Sequence, residues 1–349
     1  MDSKVQTVLG EIAPDKIGRT LTHEHLFLDF DGFYTPPPPH LGEVIFDGPI
    51  HLQNVGFIRQ YPYSSKYNLA FYDEDTHKAL YRDIDEYLKS GGLTIVENSC
   101  HGLGRRADLM KEVSKKTNVN IVAGTGFYVS SVQKEDVLKL SVEQMGNIIR
   151  KEMLEGCSED PSVKCGFIGE VGSSWPIDAF EKNAILATAA VQEELKCPVS
   201  FHPGRHSDAP FEIIRIHLEA GGLKHKTVMS HLERTLTTEA ILSDFAELGT
   251  FCQFDLFGTE CSLYQLNMKV DMPSDAQRLR MVNHLAGEGF LDRILLAHDI
   301  HTKHRLIEFG GHGYCHINNN VIPKMKMRGM TQEDIDQITI KNPARWLAF

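Results

Sequence analysis

Short apolar runs alternate along the chain with longer stretches in which apolar residues recur every three or four positions. Runs such as IVAG and RILLAH are typical of strands that are buried on both faces of a parallel sheet. Strands are predicted at 20–25, 93–99, 120–124, 165–170, 198–202, 227–231, 250–255 and 293–299. Helices are predicted at 73–90, 105–117, 141–155, 178–196, 208–220, 237–248, 274–287 and 331–346.

Eight strand–helix units in succession predict a single (β/α)8 TIM barrel, an α/β fold. An open, doubly wound sheet is the alternative, although no G-x-G-x-x-G motif follows the first strand. No linker or shift in composition divides residues 1–349, so one domain is expected. The stretches 31–72 and 300–330 break the repeat. Each follows a strand, so both are expected as long loops over the C-terminal face of the barrel, where the site would lie.

Composition narrows the class of protein. The 349 residues are 42% hydrophobic and 24% charged, as in soluble globular proteins. A formal net charge of −11 without a basic tract argues against nucleic acid or a membrane as partner. No apolar run approaches the ~18 residues of a membrane span. The N-terminus lacks a secretory pattern, and the seven scattered cysteines form no C-x-x-C, so a reduced, cytoplasmic protein is expected.

Metal-ligand side chains stand at the ends of predicted strands. The chain has 17 histidines, so a single histidine there is weak evidence, and a lone carboxylate is often a helix cap. Six such residues fall at equivalent positions, and this coincidence predicts a metal centre at the barrel mouth. They are His23, His25, Glu170, His202, His231 and Asp299.

Imidazole and carboxylate ligands suit two divalent ions, with zinc expected. One ion would take His23, His25 and Asp299, and the other would take His202 and His231. Glu170, on the strand between, could bridge them. Asp299 is expected to orient the attacking water and to accept its proton.

Four other residues near strand ends are candidates for the substrate. Tyr128 could polarise a carbonyl, or it could be a packed aromatic residue. Arg205 and Arg234 could each hold an anion, or each could pair with a nearby acid. Trp175 is expected to wall the pocket. Asp255 is expected either to support a ligand or to cap a helix.

The segments GRTLTHEH, GFIGEVG, HPGR, SHLER and AHDIH resemble, in order, motifs of the phosphotriesterase family of the amidohydrolase superfamily. The resemblance runs over the whole chain. It implies a binuclear metal hydrolase on a (β/α)8 barrel, with the six ligands named above. The founding hydrolases of that family bridge their metals with a carboxylated lysine, whereas Glu170 stands at that position here. Organophosphate hydrolysis is therefore not expected as the natural activity.

The resemblance further implies cleavage of the amide of small N-acylated amino acids or amino sulfonates by a metal-bridging hydroxide. N-acetyltaurine, yielding taurine and acetate, is the leading candidate. A lactonase or phosphotriesterase-type esterase is the alternative. A metal-bearing barrel that binds without catalysis is a third possibility, but no ligand is lost. The expected partner is a small anionic molecule, and a homo-oligomer remains open.

Overall fold

The computed structural model describes residues 3–41 and 48–349. Eight parallel strands form one sheet in strictly sequential order. A short antiparallel hairpin, β1 (Val5–Thr7) and β2 (Gly10–Ile12), precedes them. The barrel strands are β3 (Arg19–Glu24), β4 (Gly92–Glu97), β5 (Asn120–Thr125), β6 (Phe167–Gly172), β7 (Val199–His202), β8 (Thr227–Met229), β9 (Phe251–Phe254) and β10 (Ile294–Leu296).

Hydrogen bonds bring the last strand against the first. The backbone N–H of Asp299 donates to the carbonyl of His23 at 3.1 Å. The Thr22 hydroxyl donates to the carbonyl of Leu296 at 3.2 Å. The sheet is therefore a nearly closed barrel. The predicted (β/α)8 architecture is confirmed with all eight strands, and the open-sheet alternative is wrong.

Helices connect the strands on the outside. They are α1 (Val55–Gln60), α2 (Lys66–Leu69), α3 (Glu74–Lys89), α4 (Ala107–Thr117), α5 (Val142–Leu154), α6 (Ala179–Leu195), α7 (Ala209–Glu219), α8 (Leu232–Thr235), α9 (Glu239–Ala246), α10 (Asp275–Gly287), α11 (Ile322–Met327), α12 (Gln332–Asp336) and α13 (Asn342–Leu347). All eight predicted helices are present, and a π-helical segment, Gln337–Lys341, joins α12 to α13 within the last of them. Reciprocal capping starts α6, since Asp178 accepts the N–H of Glu181 and Glu181 accepts the N–H of Asp178.

A buried apolar cluster fills the end of the barrel away from the predicted ligands. Val96, Val122 and Phe167, from three adjacent strands, pack there with Val5 of the hairpin and Trp346 of α13. The hairpin was not predicted, because strands of three residues are too short to show a period. Because the hairpin packs against this end of the barrel, a site can form at the other end, where the carboxyl ends of the strands lie.

The two segments that break the repeat both contain ordered elements. Residues 31–72 include α1 and α2, and residues 42–47 of this stretch lie outside the described residues. Residues 300–330 include α11, in which Met325 is fully buried while Met327 is 86% exposed. In the part of the chain that the structure describes, no helix is both long and apolar enough to cross a membrane.

Candidate metal centre

The six predicted ligands come together at the carboxyl ends of the strands. All are buried, with at most 6% of any residue exposed. Two sets of three ligand atoms converge and share one histidine. The sets are His23, His25 and Asp299, and His23, Glu170 and His231.

The first set matches the group predicted for one ion. The Nε2 atom of His25 lies 3.2 Å from Oδ1 of Asp299, and Nε2 of His23 lies 3.8 Å from the same oxygen. Both imidazoles therefore face one carboxylate oxygen. Two imidazoles and one carboxylate are a donor set that suits zinc and related divalent ions.

Glu170 lies between the two sides of the centre. Its Oε1 is 3.4 Å from Nε2 of His25, and its Oε2 is 3.5 Å from Nε2 of His23. Oε2 is also 2.9 Å from Nδ1 of His202 and 3.7 Å from Nε2 of His231. These two histidines adjoin each other, with His231 Nε2 and His202 Nδ1 2.8 Å apart. The carboxylate thus contacts both predicted groups, as a bridging ligand must.

An unpaired buried nitrogen indicates that the donors fit a metal. Nε2 of His23 is inaccessible and has no hydrogen-bond partner within residues 3–41 and 48–349. Burial raises the pKa of Glu170 and Asp299, but the surrounding imidazoles outweigh it and hold both pKa values well below the usual range. Both carboxylates are therefore ionised, as metal ligation requires, and no lysine or arginine in the described ranges pairs with either of them.

Asp255 holds two of the histidines in orientation. Its Oδ1 lies 2.6 Å from Nδ1 of His231 and accepts the backbone N–H of the same residue at 3.0 Å. Its Oδ2 lies 3.1 Å from Nδ1 of His23. Burial raises the pKa of Asp255, but these two imidazoles outweigh it and keep the carboxyl ionised. Of the two predicted roles, support of the ligands is the one observed, and it points each Nε2 atom towards the centre.

Ser99 and Glu97 support His25, which directly follows β3, and the sequence did not single out either of them. The Ser99 hydroxyl lies 2.9 Å from Nδ1 of His25 and donates to Oε1 of Glu97 at 2.7 Å. Both belong to β4 or its immediate continuation. The polar residues Glu97 and Ser99, at the end of an apolar predicted strand, were the feature of the sequence that could have indicated this supporting role.

Two ligands leave their strands through left-handed backbone. His231 has φ 57° and Asp299 has φ 51°. Residues other than glycine adopt this region rarely, and strained backbone of this kind clusters at functional sites. In both cases the strand itself ends before the ligand, at Met229 in β8 and at Leu296 in β10.

Arg205 and Arg234 both line the metal pocket. The Nε of Arg205 donates to the hydroxyl of Tyr264 at 2.8 Å, and Arg234 donates to the carbonyl of Pro203 at 3.1 Å. Burial lowers the pKa of Arg234. Neither arginine forms an ion pair with any acidic side chain that the structure describes.

The two other predicted substrate residues have different environments. The Tyr128 hydroxyl is buried in the pocket and lies 3.3 Å from both ring nitrogens of His202. Trp175 is not among the residues that line the metal pocket. It stacks on His206 with ring centroids 5.0 Å apart and is 37% exposed. The expectation that Trp175 walls the pocket is therefore not met, because its ring turns to the imidazole on the outer surface.

The two long segments each supply a residue of the pocket wall. Tyr63, from 31–72, and His301, from 300–330, both line the pocket. Their side chains meet, with the Tyr63 hydroxyl 2.9 Å from Nε2 of His301. Nδ1 of His301 lies 3.2 Å from Oδ2 of Asp299. The aromatic residues of the aperiodic segment were the only signal for Tyr63.

The chain is similar over its whole length to known proteins. It is 54% identical over 352 residues to the phosphotriesterase-related protein of Aedes aegypti, with 99% of each chain covered. It is 52% identical over 348 residues to that of Drosophila melanogaster, again with 99% of each covered.

Among solved structures, a resiniferatoxin-binding protein from Rhodobacter sphaeroides has a TM-score of 0.93 and 29% identity, covering 99% of this chain and 94% of the other. The phosphotriesterase homology protein from Escherichia coli has a TM-score of 0.76 at 24% identity, covering 95% and 99%, and it shows the shared fold. The phosphotriesterase family model matches residues 3–347. Five of the six predicted ligands form the two converging sets at the mouth of the barrel, and the chain belongs to the phosphotriesterase family, a family of metal-dependent hydrolases.

Proposed function

We propose that the protein hydrolyses the amide of small N-acylated amino acids or amino sulfonates, with N-acetyltaurine as the leading substrate. One observation carries the proposal. Two guanidinium groups, that of the buried Arg234 and that of the half-buried Arg205, line the metal pocket without an acidic partner among the described side chains.

Unpaired buried cations are costly, so their presence beside a site favours an anionic ligand. The chain as a whole carries a formal charge of −11 and repels anions at long range. Attraction must therefore be local. A carboxylate or a sulfonate presents two oxygens to a guanidinium and forms charge-assisted hydrogen bonds with it. Such a group on the amine portion of the substrate would complete the pairing that Arg205 and Arg234 lack.

The six ligands would hold two divalent ions, for which we propose zinc. His23, His25 and Asp299 would hold one, His202 and His231 the other, with Glu170 between them. When bound, the ions supply Lewis acidity towards a carbonyl oxygen and a water of lowered pKa.

Two side chains of the pocket have a place in the chemistry. The Asp299 carboxylate, fixed between His25 and His301, is positioned to orient the attacking water and to take up its proton at a carboxylate oxygen. The Tyr128 hydroxyl, beside His202, is positioned to donate a hydrogen bond to the substrate carbonyl.

The test is a comparison of kcat/KM on four classes of substrate. N-acetyltaurine and N-acetylated amino acids are set against N-ethylacetamide, which keeps the amide but lacks the anion. Lactones and an organophosphate triester complete the panel. We expect the anionic amides to be preferred. Asp299→Asn serves as the blank and should lose at least the ~10²-fold typical of a general base.

Arginine variants test the observation itself. Arg205→Ala and Arg234→Ala are compared with Arg150→Ala, a surface variant on α5 whose side chain pairs with Glu194. At least one pocket variant should lower kcat/KM for the anionic amide roughly 10- to 100-fold while hardly changing that for N-ethylacetamide. Preference for lactones or triesters, with no turnover of anionic amides, would make the proposal wrong.

A further inference from the structure

A second cavity lies directly beside the metal pocket. It is partly open to solvent, as the metal pocket is. We call the second cavity the side chamber. The two cavities share four lining residues, namely Tyr63, Thr259, Tyr264 and His301. A thin partition of side chains is therefore all that separates the side chamber from the ligands.

The Tyr63 ring is part of this partition and is held on several sides. Its hydroxyl is bonded to Nε2 of His301 at 2.9 Å, and the two rings lie 5.9 Å apart at only 14°. The Tyr264 ring lies 6.3 Å away, edge on. The Tyr63 backbone N–H donates to Oε1 of Gln265 at 3.1 Å. With only 5% of the residue exposed, Tyr63 is a fixed part of the wall.

The position of the partition relates it to one end of the substrate. This step rests on the proposed function. With the carbonyl at the metal ligands and the anionic tail at Arg205 and Arg234, the acyl group faces the remaining wall. That wall is aromatic, since the Phe30 ring lies 5.1 Å from His301 and 6.3 Å from Tyr63. Such a surface suits a methyl group.

We infer that Tyr63 is the residue that restricts the acyl group to a short chain, and that the side chamber is the space a longer acyl chain would occupy. Beyond the partition, Phe257, Ile300 and Cys261 line the chamber, and so do the charged side chains of Arg59, Glu260 and Arg305. The part of an alkyl chain that lies against Phe257 and Ile300 would leave water for an apolar surface.

The experiment measures the ratio of kcat/KM for N-hexanoyltaurine to that for N-acetyltaurine in the metal-loaded protein. Tyr63→Ala opens the partition and should raise this ratio roughly 10- to 100-fold. Tyr63→Phe is the matched control, because it keeps the ring and removes only the bond to His301. Its ratio should stay at the wild-type value. Where Tyr63→Ala does not fold, Tyr63→Leu replaces it and should give a smaller gain in the same direction.

A variant that fills the chamber tests where the chain goes. Cys261 lines the side chamber but not the metal pocket. Cys261→Trp alone should leave N-acetyltaurine turnover unchanged, and in the Tyr63→Ala background it should cancel the gain for the hexanoyl substrate. An unchanged ratio in folded, metal-loaded Tyr63→Ala would overturn the inference. So would an equal gain in Tyr63→Phe, or a gain that survives Cys261→Trp.

The same ratio is also measured on p-nitrophenyl hexanoate and p-nitrophenyl acetate. Hydrolysis of these esters uses the metal centre and the acyl subsite. The esters themselves contain neither an amide nor an anionic tail. If the taurine amides are not cleaved while the ester ratio shifts as expected, the proposed function fails and the role of Tyr63 stands. If the amides are cleaved but no ratio shifts, the inference about Tyr63 fails alone.

Discussion

Arg205 donates a hydrogen bond from Nε to the phenolic oxygen of Tyr264 at 2.8 Å, and its guanidinium lies 5.5 Å from the centre of the same ring. The arginine follows β7, whereas the tyrosine lies between β9 and α10. Nε is engaged, and no side chain or carbonyl of residues 3–41 and 48–349 bonds the two terminal nitrogens of Arg205, which leaves them available to a ligand. Tyr264 is thus a positioning residue for the proposed anion contact.

Tyr264→Phe should weaken binding of anionic substrates specifically. The ring is kept, so the wall of the pocket is preserved, but the guanidinium loses the acceptor that orients it. We expect KM for N-acetyltaurine to rise about 10-fold, with kcat and the kinetics on N-ethylacetamide hardly changed. Tyr81→Phe, on α3, is the control. An equal loss on charged and neutral substrates would show that Tyr264 does not act through Arg205.

Asp255→Asn should lower the affinity of the centre for metal. The carboxylate contacts Nδ1 of both His23 and His231, and an amide cannot accept a hydrogen bond from both rings. Loss of such a supporting partner costs roughly 10- to 100-fold in metal affinity. The measurement is zinc titration of metal-free protein with a competing chelator. Asp85→Asn, exposed on α3, should bind as the wild type does; equal affinities in all three proteins would refute the assigned role of Asp255.

Reconstitution of metal-free protein should not need bicarbonate. A lysine must react with carbon dioxide before it can bridge two metals, whereas Glu170 brings its own carboxylate to within 3.4 Å of His25 and 2.9 Å of His202. Elemental analysis should find two divalent ions per chain, with or without bicarbonate. Glu170→Ala should retain fewer ions than the wild type. A steep rise in activity with added bicarbonate would mean that another group forms the bridge.

The barrel and its ligands were predictable from the sequence because two local signals coincide. Strands buried on both faces give continuous apolar runs, and ligand-type side chains follow those runs in His202, His231 and Asp299. The ends of strands were less predictable. The β8 and β10 strands end at Met229 and Leu296, before the ligand, and the backbone is left-handed at His231 and Asp299.

The pocket walls were not predictable, because they depend on contacts between distant loops. Tyr63 meets His301 across 238 positions of the chain, and Tyr264 meets Arg205 across 59. Neither the 31–72 segment nor the β9–α10 loop has a periodic pattern of apolar residues from which the position of a side chain could be predicted. Trp175 was misplaced for the same reason, since its stacking on His206 is set by the neighbouring loop.

A buried carboxyl outside the metal centre should make stability depend on pH. Asp83 of α3 is fully buried, and its carboxyl accepts the backbone N–H of Ile307 at 3.1 Å. Burial raises the pKa of Asp83 from an ordinary 3.8 to about 7, although this hydrogen bond opposes it. Between about pH 4 and 7 the folded protein therefore holds a proton that the unfolded chain has released. Stability contributed by Asp83 is present below that window and is lost as pH rises through it.

Asp83→Asn removes this titration, so the difference in Tm between variant and wild type should move in favour of the variant as pH rises from 5 to 8. We expect a change of roughly 3–5 °C in that difference, measured by calorimetry at matched metal content. The amide can change Tm by the same amount at every pH. Only the change of the Tm difference with pH reports the titration of the Asp83 carboxyl. Asp85→Asn, two residues along the same helix and exposed, should run parallel to the wild type. Parallel curves for Asp83→Asn as well would show that Asp83 stays ionised in the folded protein across this range.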